Sequence, residues 1–282
     1  MPDRYEIMKK EALTPDISSI SVYAPLVAKK AKAGQFIILI AKEGGERIPL
    51  TVSSCDGDTV TVVFQKVGAS TMELDELEQG NHLAEFVGPL GVPTEIDGVK
   101  RVAVVGGGLG CAIALPVAKA LHDAGVSVDL IGGFKTKSIV ILEDKMKAAC
   151  ESLYICTDDG SYGFSGFVTG KLQELIEGGE KYDRVYAIGP LVMMKFICRL
   201  TEKFDIPTIV SMNPIMIDGT GMCGCCRVTV GGEVKFACVD GPDFDGHKVD
   251  FDETIARAST YREFEENARK AHKCRLEGMS NG

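Results

Sequence analysis

The most constraining feature of this chain is a glycine- and cysteine-rich stretch in its last third. It reads Asp218-Gly-Thr-Gly-Met-Cys223-Gly-Cys225-Cys226, and Cys238 follows twelve residues later. Asp218, Cys223 and Cys226 keep the C-x4-C-x2-C spacing with which a short loop wraps thiolates around a [2Fe-2S] cluster, although a carboxylate stands at the first position. The sequence therefore predicts a [2Fe-2S] centre with Asp218, Cys223, Cys226 and Cys238 as ligands, and with it electron transfer.

Two other interpretations of this stretch are weaker. Zinc sites usually contain paired C-x2-C knuckles, whereas only Cys223 and Cys226 form such a pair here. Cys225 is an alternative source of the missing sulfur, but it adjoins Cys226, and consecutive side chains diverge. We therefore favour Asp218 as the ligand and expect cluster binding to depend on pH, because a protonated carboxyl is a poor ligand.

Composition narrows the class of protein. The other six of the ten cysteines are scattered singly, which favours a metal centre in a reducing compartment over a disulfide framework. With 31 basic and 40 acidic residues the net charge is −9, which argues against a nucleic-acid partner. The sequence has neither a long apolar run nor a signal-peptide pattern at its start, so we expect a cytoplasmic protein without a membrane anchor.

Hydrophobic periodicity divides the chain into four parts. Residues 1–98 contain short alternating runs separated by Gly, Asp and Pro, typical of a small β-barrel. Residues 99–212 alternate strand and helix patterns, which predicts a parallel α/β domain. Residues 213–250 form the cysteine-rich module, and residues 251–282 form a polar, helical C-terminal tail.

Glycines mark a candidate nucleotide site in the second part. Gly106-Gly-Gly-Leu-Gly110 lies between a predicted strand and a predicted helix, where small residues let the backbone approach a pyrophosphate. The segments Thr157–Gly163 and Gly189–Met194 also follow predicted strands, at the sheet edge where ligands bind in such folds. In the barrel, Arg47-Ile-Pro-Leu-Thr51 and Val67-Gly-Ala-Ser-Thr71 combine a cation with hydroxyl groups, a plausible diphosphate site.

Taken in order, these motifs resemble the ferredoxin reductase superfamily. They are most similar to the small subunits of NADH-dependent reduced ferredoxin:NADP oxidoreductases, also known as sulfide dehydrogenases, and to the related electron-transfer subunits of dihydroorotate dehydrogenase B. The resemblance covers about residues 1 to 250. Asp218 favours the first group, in which Asp-Gly-Thr-Gly-Met-Cys-Gly occurs, over the dihydroorotate enzymes, which carry Cys at that position.

The resemblance implies FAD on the barrel and NAD(H), rather than NADP(H), on the α/β domain. Lys135 and Lys137 offer charges for a 2′-phosphate, but lysines in a solvated loop are commoner. Hydride transfer through FAD needs no acid–base triad, so we expect no catalytic side chain. The implied FAD contacts are Arg47, Pro49, Leu50, Thr51, Val67, Gly68, Ser70 and Thr71. The implied nucleotide contacts are Gly107, Gly108 and Gly110, with Asp159, Gly160, Gly189 and Pro190 on the nicotinamide side.

The resemblance also implies a larger partner subunit with another FAD, [4Fe-4S] clusters and an NADP(H) site. The pair would couple NADH and ferredoxin to NADP by electron bifurcation, with ferredoxin acting through the larger subunit. The tail either contacts that partner or caps its own domain. The alternatives are a dihydroorotate dehydrogenase electron-transfer subunit, a sulfide or polysulfide reductase using Cys55 or Cys111, and a regulatory module that senses nucleotide redox state.

Overall fold

The first part of the chain is an antiparallel barrel because its strands alternate buried and partly exposed residues, with the apolar set facing one side. The structure, a computed structural model, describes the backbone of residues 2–280 and the side chains of residues 2–271. The six strands are β1 (Ile7–Thr14), β2 (Ile17–Tyr23), β3 (Phe36–Ile40), β4 (Ile48–Asp56), β5 (Thr59–Gln65) and β6 (Glu85–Leu90). Two short helices, α1 (Pro25–Ala28) and α2 (Ala69–Asp75), connect them.

A single bridge beside the two edge strands, β1 and β6, closes the six-stranded sheet into a barrel. The strand order is β1-β2-β5-β4-β3-β6, and a bridge between Glu6 and His82 joins the chain just before β1 to the chain just before β6. Inside lies an apolar core that includes Ile20, Leu39 and Phe64, all fully buried. The predicted barrel is confirmed.

The second part is a parallel sheet covered by helices. Its strands are β7 (Arg101–Gly107), β8 (Ser127–Phe134), β9 (Ser152–Thr157), β10 (Phe164–Ser165), β11 (Arg184–Ile188) and β12 (Thr208–Ser211). Its helices are α3 (Gly110–Asp123), α4 (Glu143–Lys147), α5 (Val168–Glu177) and α6 (Leu191–Glu202), with a 3₁₀ turn at Lys137–Ile139. The order is β10-β9-β8-β7-β11-β12, so the direction of strand addition reverses between β7 and β11. Such a reversal opens a crevice at the carboxyl ends of the strands.

The cysteine-rich segment is attached to both other parts. After the glycine- and cysteine-rich loop come a hairpin of β13 (Arg227–Val230) and β14 (Glu233–Phe236) and then β15 (Asp243–Asp245). β15 pairs antiparallel with β12 and so extends the parallel sheet. Cys226 and Cys238 belong to the same apolar core as Val105 of the sheet and Ile38 of the barrel. The boundaries at residues 98, 212 and 250 stay predictions.

The C-terminal part of the chain contains two helices. α7 (Phe251–Ala258) is capped by Asp250, whose carboxylate accepts a 2.9 Å hydrogen bond from Glu253 N. α8 (Arg262–Ser280) contacts α2, and Phe264 near its start is exposed. Residues 281 and 282 of the predicted tail lie outside the described residues. Within the described part of the chain, no helix has the length and apolar character that a membrane span requires.

Asp243, at the contact between β15 and the linker after the barrel, makes the stability of the chain depend on pH. Thr94, in the linker after the barrel, donates a 2.6 Å hydrogen bond to Asp243 Oδ2. Burial raises the pKa of Asp243 above 3.8. The folded chain therefore holds this proton more tightly than the unfolded chain. The stability it contributes is present below pH 3.8 and is lost as the pH rises through the raised pKa.

We expect Asp243→Asn to be at least as stable as the parent protein at neutral pH. The amide still accepts the bond from Thr94, and no charge has to be buried. Urea unfolding across the acid to neutral range should show a flatter dependence of stability on pH in the variant. A variant that unfolds at lower urea concentration than the parent at neutral pH would contradict this account.

Candidate functional site

The glycine turn after β7 lies at the crevice between β7 and β11. A Cβ on Gly110 would lie 2.3 Å from the Ile188 carbonyl oxygen, and one on Gly107 would lie 2.5 Å from Met193 Sδ. These two glycines therefore allow the turn to pack directly against the end of β11 and the start of α6. Gly108 has a φ of +56°, and a Cβ there would meet no atom of the described residues within 4 Å. Its backbone thus faces open space, as a turn that receives a ligand must.

The predicted nucleotide contacts fall on two sides of this turn. Gly189 and Pro190 follow β11, which pairs with β7 directly. Asp159 and Gly160 follow β9, which is separated from β7 by β8. The strand order thus places Asp159 and Gly189 on opposite sides of β7, and the expectation that both line the nicotinamide does not fit this topology.

Asp159 and Lys137 belong to one polar cluster at the outer side of the sheet. Asp159 Oδ1 accepts hydrogen bonds from Ser161 Oγ at 2.6 Å and Ser161 N at 3.0 Å, and the first of these is the main reason its pKa is lowered. Lys137 Nζ lies 4.8 Å from the ring centroid of Tyr162, and Tyr162 in turn donates a 2.7 Å bond to Glu143. Lys137 is therefore engaged by an aromatic ring.

The predicted FAD contacts lie along β4 and at the start of α2. Pro49, Leu50 and Thr51 pair with Ile38, Ile37 and Phe36 of β3, and all three are half-buried. Thr71 Oγ1 accepts hydrogen bonds from the backbone N–H groups of Val67 and Gly68, each at 3.1 Å, while Ser70 donates to Glu46. Further along β4, Ser53 donates a 3.3 Å bond to the Ala112 carbonyl of α3. Strand β4, which carries predicted FAD contacts, is thus in direct contact with helix α3, which follows the predicted nucleotide turn.

Arg47 connects the barrel to the cysteine-rich loop. Its Nε donates a 2.8 Å hydrogen bond to the Ile217 carbonyl, and its Nη1 donates to the Glu85 carboxylate. The sequence pattern gave no sign of Glu85, because nothing local marks a surface carboxylate as the partner of a distant arginine. Pairing of β3 with both β4 and β6 is what brings the two side chains together.

Two of the four predicted cluster ligands are adjacent and buried. Cys226 Sγ and Cys238 Sγ are 3.2 Å apart, and both residues are almost fully buried. Burial raises the pKa of Cys238 to about 11. Cys223 is exposed, and a hydrogen bond from the backbone of Cys225 is the main cause of its lowered pKa. Cys225 is half-buried, and its pKa is raised, first by its hydrogen bond with the Cys223 thiol.

Asp218 is engaged by its own loop. Its Oδ2 accepts hydrogen bonds from Thr220 N at 3.0 Å, Met222 N at 3.2 Å and the Thr220 hydroxyl. The hydroxyl bond is the largest cause of the lowered pKa of Asp218, and the charge of Arg47 adds to it. The carboxylate is therefore ionised at neutral pH, the state that a metal ligand needs.

The donor set fits an iron–sulfur cluster in its chemistry. Three thiols and a carboxylate lie on one loop and the segment packed beneath it, and thiolate sulfur is the ligand that such clusters take. Among residues 2–271, no three His, Cys, Asp or Glu side chains are gathered closely enough to hold a metal ion as they stand. The assignment of Asp218, Cys223, Cys226 and Cys238 as ligands stays a prediction.

The cysteines proposed for sulfide chemistry lack the features of a reactive thiol. Cys111 is fully buried, and burial raises its pKa to about 12. Cys55 is exposed, but partial burial of its thiol raises its pKa as well. Reactive cysteines have lowered pKa values, so neither residue supports a sulfide reductase.

Several known proteins are similar to this chain in sequence and fold. The iron–sulfur cluster binding domain of dihydroorotate dehydrogenase B matches residues 213–250. A Clostridium beijerinckii protein known from the region 3′ of adh is 52% identical over 92% of this chain and 90% of its own length. A Thermotoga maritima homolog of the dihydroorotate dehydrogenase B (NAD(+)) electron transfer subunit is 44% identical, with 92% of each chain covered.

A solved structure extends the match to the whole fold. It is that of an NADH-dependent reduced ferredoxin-NADP oxidoreductase, studied for flavin-based electron bifurcation. It superposes with a TM-score of 0.91 at 40% identity and covers 96% of this chain and 98% of its own. The predicted ferredoxin reductase-like fold is thereby confirmed. On the strength of the Thermotoga relative, the chain belongs to the family of the dihydroorotate dehydrogenase B electron transfer subunits.

Proposed function

We propose that this chain is the electron-transfer flavoprotein subunit of an NADH- and ferredoxin-linked NADP transhydrogenase. It would pass electrons between NAD(H), FAD and a [2Fe-2S] cluster, and to or from a larger partner subunit. One observation carries the proposal: the loop with the candidate cluster ligands is bonded to the same barrel that holds the candidate flavin strand. The likeness over 96% of the chain to the bifurcating oxidoreductase supports it.

Each part of the chain has a defined binding task in this proposal. The Gly107–Gly110 turn admits the pyrophosphate of the nucleotide against the N-terminus of α3. Gly189 and Pro190 lie next to the nicotinamide, whereas Asp159 and Gly160 lie toward the other end of the nucleotide. Lys137, one of the two lysines that could meet a 2′-phosphate, lies over the Tyr162 ring instead, which agrees with NAD(H).

The barrel residues bind and orient the flavin. Pro49, Leu50 and Thr51 line one side through β4, and Val67, Gly68, Ser70 and Thr71 supply backbone and hydroxyl groups near α2 for the diphosphate. Bound FAD supplies the conversion between hydride transfer and single-electron transfer. Since β4 contacts α3 through Ser53, the chain holds nucleotide and flavin close together, and closeness is the main requirement of hydride transfer.

The partner follows from the number of cofactor sites. The chain offers a cluster site but no second flavin site among the segments described above, so the cluster would exchange single electrons with another protein. We assign that role to a larger subunit with FAD, [4Fe-4S] clusters and an NADP(H) site, through which ferredoxin acts. The exposed first half of α8, residues 262–271, is a candidate contact, and the complex is assigned to the cytoplasm.

The test is an anaerobic NADH titration of the complex purified with its native partner, followed by visible absorbance and electron paramagnetic resonance. Bleaching of FAD followed by a reduced [2Fe-2S] signal is the expected result, and reduced ferredoxin with NADH should then reduce NADP⁺. Absence of flavin or cluster would overturn the proposal. If dihydroorotate, and not this pair of donors, delivers electrons, the chain serves a dihydroorotate dehydrogenase, the alternative that the match at residues 213–250 favours.

The ligand role of Asp218 has its own test. We expect Asp218→Cys to retain a [2Fe-2S] cluster with a changed reduction potential, because a thiolate replaces a harder oxygen donor. A redox titration followed by electron paramagnetic resonance measures the change. An unchanged potential would mean that Asp218 only closes the turn through its bonds to Thr220 and Met222.

A further inference from the structure

Arg47 and Glu85 stand side by side at the edge of the barrel that faces the cysteine-rich loop. Arg47 directly precedes β4, and Glu85 begins β6. Between them runs β3, in which Leu39 pairs with Ile48 and Ile40 pairs with Glu85. The strand register therefore fixes their proximity, although they are separated by 38 positions in the sequence.

The guanidinium of Arg47 uses two different nitrogens for two different partners. Nε reaches the Ile217 carbonyl at 2.8 Å, and Nη1 reaches the Glu85 carboxylate. A guanidinium is planar and rigid, so fixing one edge by Glu85 also fixes the direction in which the other donor points. That second donor points at the residue immediately before Asp218.

The loop beyond Ile217 also fits closely against the barrel. A Cβ on Gly219 would lie 2.8 Å from Ile38 Cδ1 and 2.9 Å from Leu90 Cδ1, so the backbone there lies directly on β3 and β6. Gly219 has a φ of +85°, which lets the chain turn sharply at this contact. The loop is thus held on the barrel by a polar link at Ile217 and an apolar contact at Gly219.

We propose that Arg47 and Glu85 form a latch that holds the loop from Ile217 onward against the barrel. The latch sets the position of the candidate cluster relative to β4, the strand that carries predicted FAD contacts. This inference rests on the proposed function. Glu85 acts only through Arg47, and it is a positioning residue.

The competing explanation is that Arg47 acts on the loop only through its positive charge. A positive charge near Asp218 would favour its carboxylate wherever the guanidinium pointed. Arg47→Lys separates the two ideas, because lysine keeps the charge but its single ammonium cannot reproduce the two-sided fork. Glu85→Gln removes the carboxylate that orients the fork but leaves Arg47, itself a predicted FAD contact, unchanged.

The experiment uses the full chain in complex with its larger subunit. Hydrogen exchange is measured at the Thr220 and Met222 amides, and the spectrum of the reduced cluster is recorded by electron paramagnetic resonance. Glu85→Gln should speed exchange by up to about fivefold, the range for a partly exposed ion pair. Arg47→Lys should speed it by about tenfold, because the bond to Ile217 is lost. Both variants should alter the cluster spectrum.

The matched control is Glu78→Gln, which removes the partner of Lys10 from another ion pair of the same barrel. It should leave both readouts unchanged. Exchange in Glu85→Gln that equals this control, or parent-like exchange in Arg47→Lys, would overturn the latch. Faster exchange with an unaltered spectrum would overturn its role in positioning the cluster. A chain that lacks a cluster but shows faster exchange would contradict the proposed function and leave the latch standing.

Discussion

Cys226→Ser is expected to stop electron flow out of this chain while leaving NADH able to reduce its flavin. Cys226 is almost fully buried and lies 3.2 Å from Cys238 Sγ, so it has no substitute nearby of similar placement. A serine hydroxyl is a poor, rarely ionised donor for iron. Since changes at groups that merely support a ligand cost about 10–100-fold in metal affinity, loss of the ligand should cost more than about 100-fold.

Iron and sulfide content of the purified complex and the electron paramagnetic resonance signal measure this loss. Flavin bleaching by NADH should persist, because the barrel and the nucleotide turn are unchanged. Cys225→Ser is the matched control: it changes the neighbouring thiol, which is half-buried and assigned no ligand role. Equal loss of iron in both variants would show that Cys225 also contributes to the cluster, which would contradict its assignment as a residue without a ligand role.

Gly110→Ala should damage both the stability of the chain and its reaction with NADH. The new methyl group would lie 2.3 Å from the Ile188 carbonyl oxygen and 2.9 Å from Gly189 Cα, and backbone atoms cannot move aside as a flexible side chain can. Separating α3 from the end of β11 should cost about 3 kcal/mol, at the upper end of overpacking effects. It would also open the crevice in which we propose that the nicotinamide binds.

The measurements are urea unfolding and the rate of flavin reduction by NADH, compared with reduction by dithionite. Only the NADH reaction should slow, because dithionite needs no binding site. Gly132→Ala, in the adjacent strand β8, is the matched control, since its methyl group would meet its nearest neighbours at 3.4 to 3.5 Å. A Gly110→Ala protein as stable as this control would contradict the packing role of Gly110.

Local patterns predicted the elements well because their causes are local. The run Val102–Val105 and the glycines after it are sufficient to predict a buried strand and a tight turn, and both occur as expected. The spacing of Cys223 and Cys226 likewise predicted a loop. The structure adds that Cys226 is buried against Cys238, which spacing alone does not reveal.

Relationships between distant parts of the chain could not be predicted in this way. The motif after β9 and the motif after β11 look equivalent in the sequence, because each follows a strand. Only the strand order shows that Asp159 and Gly189 lie on different sides of β7. The bond from Arg47 to Ile217 spans 170 positions, and no periodicity encodes a contact of that kind.

The pairing of Ser211 with Asp243 makes the cysteine-rich segment an insertion with neighbouring ends. The chain leaves the sheet at the end of β12 and returns beside it in β15, so the intervening residues form one long loop whose ends are adjacent. Because loops with adjacent ends can change in length at little entropic cost, this segment can vary in length without altering the pairing of β12 with β15. The sheet thus holds both ends of the cysteine-rich segment in place, whatever conformation the loop between them adopts.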